Sequence, residues 1–286
     1  MSGKRSPQII PAADRTASPR GAKALIIGPT GIGKTTLLRT LDLPSTLFVD
    51  IEAGDICVSD LAVDTFRPRT WPQCRDLAVV LAGANPAVPA DAVYSETHYN
   101  AAIAELGSPR QYGTFFIDSL TAVGRLCFAW ASQQPEAFSE RSGKRDLRGA
   151  YGLHAREMVA WLMHLQQARA VNVVFLGILE TVTDDYNRTE HRLQLEGART
   201  GRELPAVVDQ VITYNWIDFG DGVLTRAFIC TTPNPWQFPA KDRSGRLEQI
   251  EQPDLGKLLT KLSAKSPGGD FVETQGQLFL VPEAAQ

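Results

Sequence analysis

The sequence predicts an α/β fold with a mostly parallel β-sheet flanked by helices. Short and continuously apolar runs, typical of strands buried on both faces, alternate with longer segments of helical periodicity. Strands that alternate with helices along a chain indicate βαβ units. Two further β-rich runs, at 210–219 and 223–231, are separated by Gly-Asp-Gly. They predict a C-terminal antiparallel hairpin at one edge of the sheet.

The individual elements follow from local patterns. Four apolar runs are too short for ordinary helices and predict strands. They lie at 24–28, 46–50, 114–118 and 171–179. Helical spacing of apolar residues is found in three intervening segments, at 35–41, 71–81 and 152–168. The stretch 83–93 is rich in Pro and Ala and predicts a surface loop.

No linker-like stretch divides the middle of the chain, so we expect one domain over 21–262. Residues 1–20 are rich in Ser, Pro, Ala and Arg and predict a flexible arm. Residues 263–286 include a Pro-Gly-Gly break and predict a flexible tail. Within this tail, the apolar run 278–281 could dock on the body or on a partner.

The composition is that of an ordinary globular protein, with 43% hydrophobic and 21% charged residues among 286. The formal net charge is −3, so contact with a nucleic acid would require a local basic patch. Four widely spaced cysteines favour buried thiols in a reducing compartment over a metal site or disulfides. There is neither a secretory signal nor an apolar run near the roughly 20 residues that span a bilayer. We therefore expect a cytoplasmic protein that has no membrane partner.

The most specific motif is GPTGIGKT at 28–35, which fits GxxxxGK[ST] at every fixed position. It follows an apolar strand and opens a helical segment, the context in which this motif binds the phosphates of ATP. Glycines let backbone N–H groups surround the β-phosphate, and the helix N-terminus favours the anion. We expect Lys34 to reach the β- and γ-phosphates and the Thr35 hydroxyl to bind Mg²⁺. The predicted nucleotide-binding residues are Gly28, Pro29, Thr30, Gly31, Ile32, Gly33, Lys34, Thr35 and Thr36.

Carboxylates at predicted strand ends are candidates to hold the metal and to orient the attacking water. The strand 114–118 ends in Asp118, which we expect to act on Mg²⁺ through its water shell. Asp50 and Glu52 stand at the end of the strand 46–50, and alternation would place both on one face. We expect Glu52 to activate water, with Asp50 second or supporting. Two solvated carboxylates at a strand end are the alternative.

Seven short segments stand in a characteristic order. They are GPTGIGKTT at 28–36, FVDIE at 48–52, FFIDSLTAV at 115–123, YG at 151–152, VNVVFLGIL at 171–179, RELPAVVDQVITY at 202–214 and NPWQFPAKDRSGRLE at 234–248. This arrangement resembles the RecA-like ATPase core. More closely, it resembles phage nucleotide-binding ATPases counted among single-strand annealing proteins of the shortened RecA type. The resemblance covers about 22–262, and only the phosphate-binding loop is specific by itself.

The resemblance implies ATP, Mg²⁺ and single-stranded DNA as ligands, and self-association into a ring or filament. Glu52 would match the catalytic glutamate of such proteins, and two loops would bind DNA, at about 133–150 and 180–204. The first loop contains four cations, which are Arg141, Lys144, Arg145 and Arg148. A local positive charge suits phosphates, although a solvated charged loop is the plain alternative. The second loop contains more acidic than basic residues, which weakens its assignment to DNA.

Arg199 and Arg202 stand before the strand predicted from 210. RecA-like proteins place cations at this point that reach the γ-phosphate of a neighbouring subunit. The resemblance therefore implies that these two residues are a finger acting in trans, which would stabilise transition-state charge and couple hydrolysis to assembly.

The strand 171–179 departs from the family pattern. Related proteins often end this strand with a Gln or His that senses the γ-phosphate, whereas here it ends in Gly177-Ile178-Leu179, and Glu180 is the first polar side chain. How the ATP state would reach the DNA loops is therefore open. Three aromatic residues near the loops are candidates for stacking on bases, with core or rim positions as the alternative. They are Tyr151, Tyr186 and Trp236.

The preferred interpretation is a phage-type ATP-binding and ATP-hydrolysing protein that binds single-stranded DNA and promotes annealing or recombination. We expect Mg²⁺-dependent hydrolysis that DNA stimulates, and a single-strand-binding protein is a further candidate partner. One alternative is a P-loop kinase acting on a small acceptor, with the segment 141–148 as its lid. Another is a nucleotide-switched assembly adaptor without significant turnover.

Overall fold

The computed structural model describes residues 9–107, 112–139, 141–183, 185–220, 222–264, 271–274 and 277–280. Its central feature is a mixed β-sheet of ten strands. In chain order the strands are β1 (Lys23–Gly28), β2 (Thr46–Asp50), β3 (Asp64–Phe66), β4 (Thr114–Asp118), β5 (Asn172–Thr183), β6 (Thr189–Leu193), β7 (Gln210–Asp218), β8 (Leu224–Ile229), β9 (Lys241–Asp242) and β10 (Ile250–Glu251).

The main path of this sheet runs β10-β8-β7-β1-β5-β4-β2-β3. All neighbours from β7 to β3 pair in parallel, which confirms the predicted mostly parallel sheet. The predicted hairpin is formed by β7 and β8, and the two-residue strand β10 lies outside it at the edge. Off the main path, β6 pairs with β5 and β9 pairs with β7. The P-loop strand β1 is therefore central.

Helices connect and cover these strands. The α-helices of the described residues are α1 (Ala12–Ala17), α2 (Trp71–Ala82), α3 (Glu96–Leu106), α4 (Leu120–Ala131), α5 (Leu147–Gln166), α6 (Ala198–Val207) and α7 (Leu255–Ser263). Shorter 3-10 helices span Thr35–Thr40, Leu43–Ser45, Asp55–Val58 and Pro135–Ala137. Several α-helices begin after a side chain that accepts a backbone N–H of the first turn, a stabilising N-cap. These caps are Thr70, Ser95, Ser119, Asp146 and Asp254.

Separate hydrophobic cores lie on the two faces of the sheet. On β1, Leu25 and Ile27 belong to the core that contains residues of α2, α4 and α5. Ala24 and Ile26 belong to the opposite core, which contains residues of α7 and of the 3-10 helix after the P-loop. Burial on both faces is the physical reason for the continuous rather than alternating apolar pattern of this strand.

The segment expected to be a loop at 180–204 has regular structure. Strand β5 continues to Thr183, β6 returns antiparallel to it, and α6 follows. Polar side chains occupy both faces of this hairpin, since Glu180 pairs with Arg192 and Thr181 with His191. A hairpin without an apolar face gives no period-two hydrophobic signal, so the sequence contained no strand pattern to set against the loop that the family resemblance implied.

The two chain ends also contain short elements. In the arm 1–20, helix α1 has no buried residue. In the tail 263–286, the strands β11 (Phe271–Thr274) and β12 (Gln277–Leu280) pair with each other. Residues 1–8 and 281–286 lie outside the described residues.

All four cysteines are free, and burial is confirmed for Cys74, Cys127 and Cys230 but wrong for Cys57, which is exposed. In the described part of the chain, no helix combines the length and the apolarity required to cross a membrane.

Candidate functional site

The phosphate-binding motif forms a glycine-dependent loop at the carboxyl end of β1. Gly31 and Gly33 have φ values of 82° and 98°, in the left-handed region that favours glycine. Gly28 is required for space, because a Cβ there would lie 2.5 Å from the carbonyl oxygen of Tyr214 on β7. The three glycines are therefore explained by backbone conformation and close packing, as the motif predicts.

The Lys34 side chain folds back onto the backbone of this loop. Its ammonium donates hydrogen bonds to the carbonyl oxygens of Gly28, at 2.8 Å, and Pro29, at 2.9 Å. Burial lowers the pKa of Lys34, while the nearby carboxylates of Asp118 and Glu52 act in the opposite direction. The charges of Lys34, Asp118 and Glu52 are therefore close enough to influence one another.

Thr35 and Asp118 are in direct contact, although 83 positions separate them in the sequence. The Thr35 hydroxyl donates to Asp118 Oδ2 at 2.5 Å. Strand β5 lies between β1 and β4, so the carboxyl ends of nonadjacent strands bring this pair together. Burial raises the pKa of Asp118, whereas the Thr35 hydrogen bond and the Lys34 charge oppose this shift.

The Thr35–Asp118 pair has the chemistry of a Mg²⁺ site. A hydroxyl and a carboxylate are hard oxygen donors, and Mg²⁺ usually combines one or two protein ligands with water and substrate phosphates. Within the described ranges, no group of three or more His, Cys, Asp and Glu residues could hold a metal ion by itself. The pair therefore fits an ion that is bound together with a nucleotide.

Glu52 and Asp50 lie in different environments, contrary to the expectation that alternation puts them on one face. Strand β2 ends at Asp50, and Glu52 is exposed in the turn beyond it. Ser119 Oγ donates to Glu52 Oε1 at 3.0 Å, so this carboxylate lies beside the metal-site strand. Asp50 is only 2% exposed and accepts from Arg67 Nε at 2.9 Å and from the Gly54 N–H at 3.1 Å. Asp50 therefore supports the turn that carries Glu52.

Most of the predicted basic segment forms a tight turn ahead of α5, and Arg148 is the second residue of that helix. The Ser139 N–H donates to the Lys144 carbonyl at 2.8 Å, and the Gly143 N–H donates to the Ser139 carbonyl at 2.8 Å. The four predicted cations, Arg141, Lys144, Arg145 and Arg148, are all exposed. None of them forms an ion pair with another residue in the parts of the chain that the structure describes.

This basic turn lies at the same edge of the sheet as the P-loop. The other end of α5 is at the amino edge, where Lys23 Nζ of β1 donates to the Ala168 carbonyl at 3.0 Å. A helix of 20 residues is about 30 Å long and reaches from one edge of the sheet to the other. At the carboxyl edge, a Cβ on Gly197 would lie 3.3 Å from the ring of Tyr151, which is near the start of α5.

The other predicted residues are placed apart from the phosphate loop. Arg199 and Arg202 are in α6 rather than in a loop, and Arg202 is exposed. Among the candidate stacking residues, Tyr151 is packed on Phe128 with ring centroids 4.6 Å apart, and Tyr186 is 80% exposed. Trp236 packs against a small core beside the hairpin of β7 and β8.

Two residues at the site were missed by the sequence analysis. Gln194 follows β6 and returns to the end of the predicted 171–179 strand, where its N–H donates to the Ile178 carbonyl at 2.8 Å. Arg226 on β8 reaches the P-loop, where Nη1 donates to the Ile32 carbonyl at 3.4 Å. No local signal marks either residue, because each position depends on strand pairing across a hairpin.

Comparison with known proteins gives one match to a family. The model of a family described as an AAA domain matches residues 20–244. This range includes the P-loop, Glu52, Asp118 and Arg226. No curated protein matches the chain.

Among solved structures, the chain aligns with the flagellar accessory protein FlaH from Methanocaldococcus jannaschii. It is 10% identical, has a TM-score of 0.34, and the alignment covers 83% of this chain and 88% of FlaH. An ATPase from the type III secretion system of pathogenic bacteria is 17% identical with a TM-score of 0.33. That alignment covers 68% of this chain and 51% of the ATPase.

Proposed function

Because the chain belongs to the family described as an AAA domain, we propose that it is a P-loop ATPase of the RecA-like type, which hydrolyses ATP with Mg²⁺ and binds single-stranded DNA. In this proposal, the ATPase cycle supports annealing or recombination of DNA, as in the phage proteins that the sequence resembles. The ATPase domain is 21–262, and the arm 1–20 and the tail 263–286 flank it.

The observation that carries the ATPase proposal is the contact of Thr35 with Asp118 at 2.5 Å beside Lys34. When bound, Mg²⁺ would neutralise charge on the phosphates, and Thr35 and Asp118 would hold it. Lys34 would leave the carbonyls of Gly28 and Pro29 to bind the β- and γ-phosphates. Glu52, exposed beside Ser119, would accept a proton from the attacking water.

The DNA part of the proposal is supported by the basic turn before α5. It presents exposed cations without carboxylate partners among the described residues, in a chain whose net charge is −3. Cations concentrated on one turn attract the phosphates of a nucleic acid even when the whole protein is weakly acidic. The turn lies at the P-loop edge of the sheet, so DNA and ATP would occupy the same side of the molecule.

Self-association is the third part of the proposal. Arg202 is exposed on α6 and, with Arg199, would reach the γ-phosphate on a neighbouring copy in a ring or filament. A single-strand-binding protein is a further candidate partner. Hydrolysis that depends on assembly would then connect DNA binding to turnover.

The decisive experiment measures ATP hydrolysis with and without single-stranded DNA, at low and moderate salt. We expect stimulation by DNA that weakens as salt rises, and loss of turnover in Lys34→Ala. Lys257→Ala is the matched control, because this lysine is exposed on α7 and lies outside the site. ATP binding without DNA stimulation would contradict the proposal and favour an assembly adaptor. Phosphate transfer to a small acceptor would favour a kinase.

A further inference from the structure

Arg226 approaches the phosphate-binding loop from the hairpin of β7 and β8. In the hairpin register it lies opposite Trp216. Its guanidinium Nη1 is 3.4 Å from the Ile32 carbonyl oxygen, and a Cβ on Gly33 would lie 3.0 Å from the same nitrogen. The side chain therefore lies against the backbone of the loop that is expected to surround phosphate.

The environment of this guanidinium leaves its charge unneutralised. Arg226 is exposed and forms no ion pair with any carboxylate in the described ranges. By contrast, Arg67 and Arg192 have carboxylate oxygens of Asp50 and Glu180 within 2.9 Å and 2.6 Å. The hydrogen bond to Ile32 is long, beyond the usual range for N–H···O contacts. Most of the hydrogen-bonding capacity of Arg226 is therefore available to a ligand.

Neighbouring aromatic side chains hold Arg226 in this position. The guanidinium carbon is 5.4 Å from the centroid of the half-exposed Trp216 ring, a cation–π arrangement that orients the planar group. Tyr214 is also adjacent, since burial raises its pKa whereas the charge and hydrogen bond of Arg226 oppose that rise. An oriented guanidinium that has no carboxylate partner in the described ranges suits an anion with several oxygens, such as a phosphate.

We propose that Arg226 binds the polyphosphate of the nucleotide in cis, on the side of the P-loop opposite the metal site. This inference rests on the proposed nucleotide-binding function. The P-loop strand β1 lies between β7 and β5, so Arg226 approaches the loop from the β7 side and Asp118 from the β5 side. Because Mg²⁺ and the γ-phosphate belong with Asp118, Arg226 contacts the phosphates that ATP and ADP share.

Titration calorimetry with ATP, ADP and GTP tests this assignment in the full chain, using wild type, Arg226→Ala and Arg226→Lys. We expect Arg226→Ala to weaken binding of ATP and ADP by the same factor, about 10- to 100-fold, the effect of one hydrogen bond to a charged group. If GTP binds the wild type, its affinity falls by that factor too. Arg226→Lys restores part of the affinity, because the charge is kept while the planar fork is lost. Thr225→Ala, the exposed neighbour on β8, is the matched control and keeps wild-type affinity.

Contrary outcomes separate this inference from the proposed function. Unchanged affinity in Arg226→Ala, together with loss of binding in Lys34→Ala, would overturn the role of Arg226 and leave the nucleotide site in place. A loss restricted to ATP would place Arg226 at the γ-phosphate, and a loss restricted to one base would place it at the base; either result overturns the assignment. Unchanged affinity with a lower melting temperature would show that Arg226 only joins the hairpin to the loop. Absence of nucleotide binding in the wild type would refute both proposals.

Discussion

The Ser119 hydroxyl donates a hydrogen bond to the Glu52 carboxylate at 3.0 Å. Ser119 directly follows Asp118, and the Ile51 N–H donates to the Asp118 carbonyl at 2.9 Å. These two contacts join the ends of β2 and β4, so the position of Glu52 depends on the strand that carries the metal-site carboxylate. Glu52 is thereby held within the electrostatic range of Lys34, where its charge opposes the lowering of the Lys34 pKa by burial.

Replacing Glu52 by Gln tests its role as the base for the attacking water. The substitution keeps the size and the acceptor for Ser119 but removes proton acceptance, so we expect turnover to fall about 100-fold or more. ATP affinity stays within a few-fold of wild type, because the phosphates are bound by the loop. Phosphate release and equilibrium titration measure the two quantities, and Glu248→Gln, at an exposed site, is the control. Undiminished turnover would remove Glu52 from the mechanism.

Replacing Thr35 by Val tests the metal site. Valine has nearly the same shape but lacks the hydroxyl that contacts Asp118 at 2.5 Å. We expect the gain in ATP affinity that Mg²⁺ gives the wild type to be largely lost, because one oxygen ligand is missing. Titration of ATP with Mg²⁺ and with a chelator measures this gain, and Thr35→Ser, which keeps the hydroxyl, retains it. An equal gain in Thr35→Val would show that this hydroxyl does not bind the metal.

The parts of this molecule that could be predicted from sequence are those with a local signal. Strands β1, β2 and β4 are buried on both faces and therefore have continuous apolar runs, and the P-loop has a motif with fixed spacing. These patterns also placed Asp118 and Glu52 at strand ends. In the structure Asp118 ends β4 and Glu52 lies in the turn after β2, and both act on the charge of Lys34.

The remaining features depend on contacts between distant parts of the chain. Arg226 meets Ile32 across 194 positions, through the pairing of β1 with β7 and of β7 with β8. Asp50 accepts a hydrogen bond from Arg67 and so lies in a different environment from Glu52. Strand alternation does not reveal this partner. A local period describes which face a residue occupies within a strand, and it no longer applies in the turn beyond the strand end.

The cations of the basic turn are expected to act on DNA through charge. Each cation that contacts a phosphate releases counterions from the DNA. Replacing that cation by Ala should therefore make the plot of log affinity for single-stranded DNA against log salt concentration less steep, by a slope of about 0.7. We expect this result for Arg141→Ala and Arg145→Ala, with basal ATP hydrolysis unchanged. Fluorescence anisotropy of a labelled oligonucleotide over a range of salt concentrations measures the slope. If the slopes equal that of the remote control Lys257→Ala, the cations of the turn face solvent and do not contact DNA.

Two glycines of the P-loop should respond differently to alanine. A Cβ on Gly28 would meet the Tyr214 carbonyl at 2.5 Å, a backbone contact that cannot move freely, so Gly28→Ala should cost about 1–3 kcal/mol. Gly31 has open space around its Cβ but a φ of 82°, and Gly31→Ala should cost about 1–2 kcal/mol from backbone conformation alone. Denaturant unfolding without nucleotide measures both. A second change, Tyr214→Phe, should not rescue Gly28→Ala, since the clash is with the carbonyl oxygen; rescue would contradict this account.

Lys23 should make the free energy of unfolding depend on pH. Lys23 is 2% exposed, and its ammonium donates to the carbonyls of Ala168, at 3.0 Å, and Val171, at 2.8 Å. Burial lowers its pKa from 10.5 to about 8, although Asp209 opposes this shift. Between these two values the unfolded chain binds more protons than the folded protein, so the free energy of unfolding rises with pH, by up to about 1.4 kcal/mol per pH unit.

The variant Lys23→Met isolates this contribution, because methionine fills similar space and does not titrate. We expect the free energy of unfolding of the wild type to rise relative to that of Lys23→Met as the pH increases from 8 towards 10, and the difference to level off as the pH falls well below the folded pKa of about 8. Urea unfolding at several pH values measures the difference, in which the contributions common to both proteins cancel. A constant difference over the whole range would mean that the carbonyls of Ala168 and Val171 keep the pKa of Lys23 near its ordinary value. The helix α5 would then be joined to β1 by a permanently charged contact.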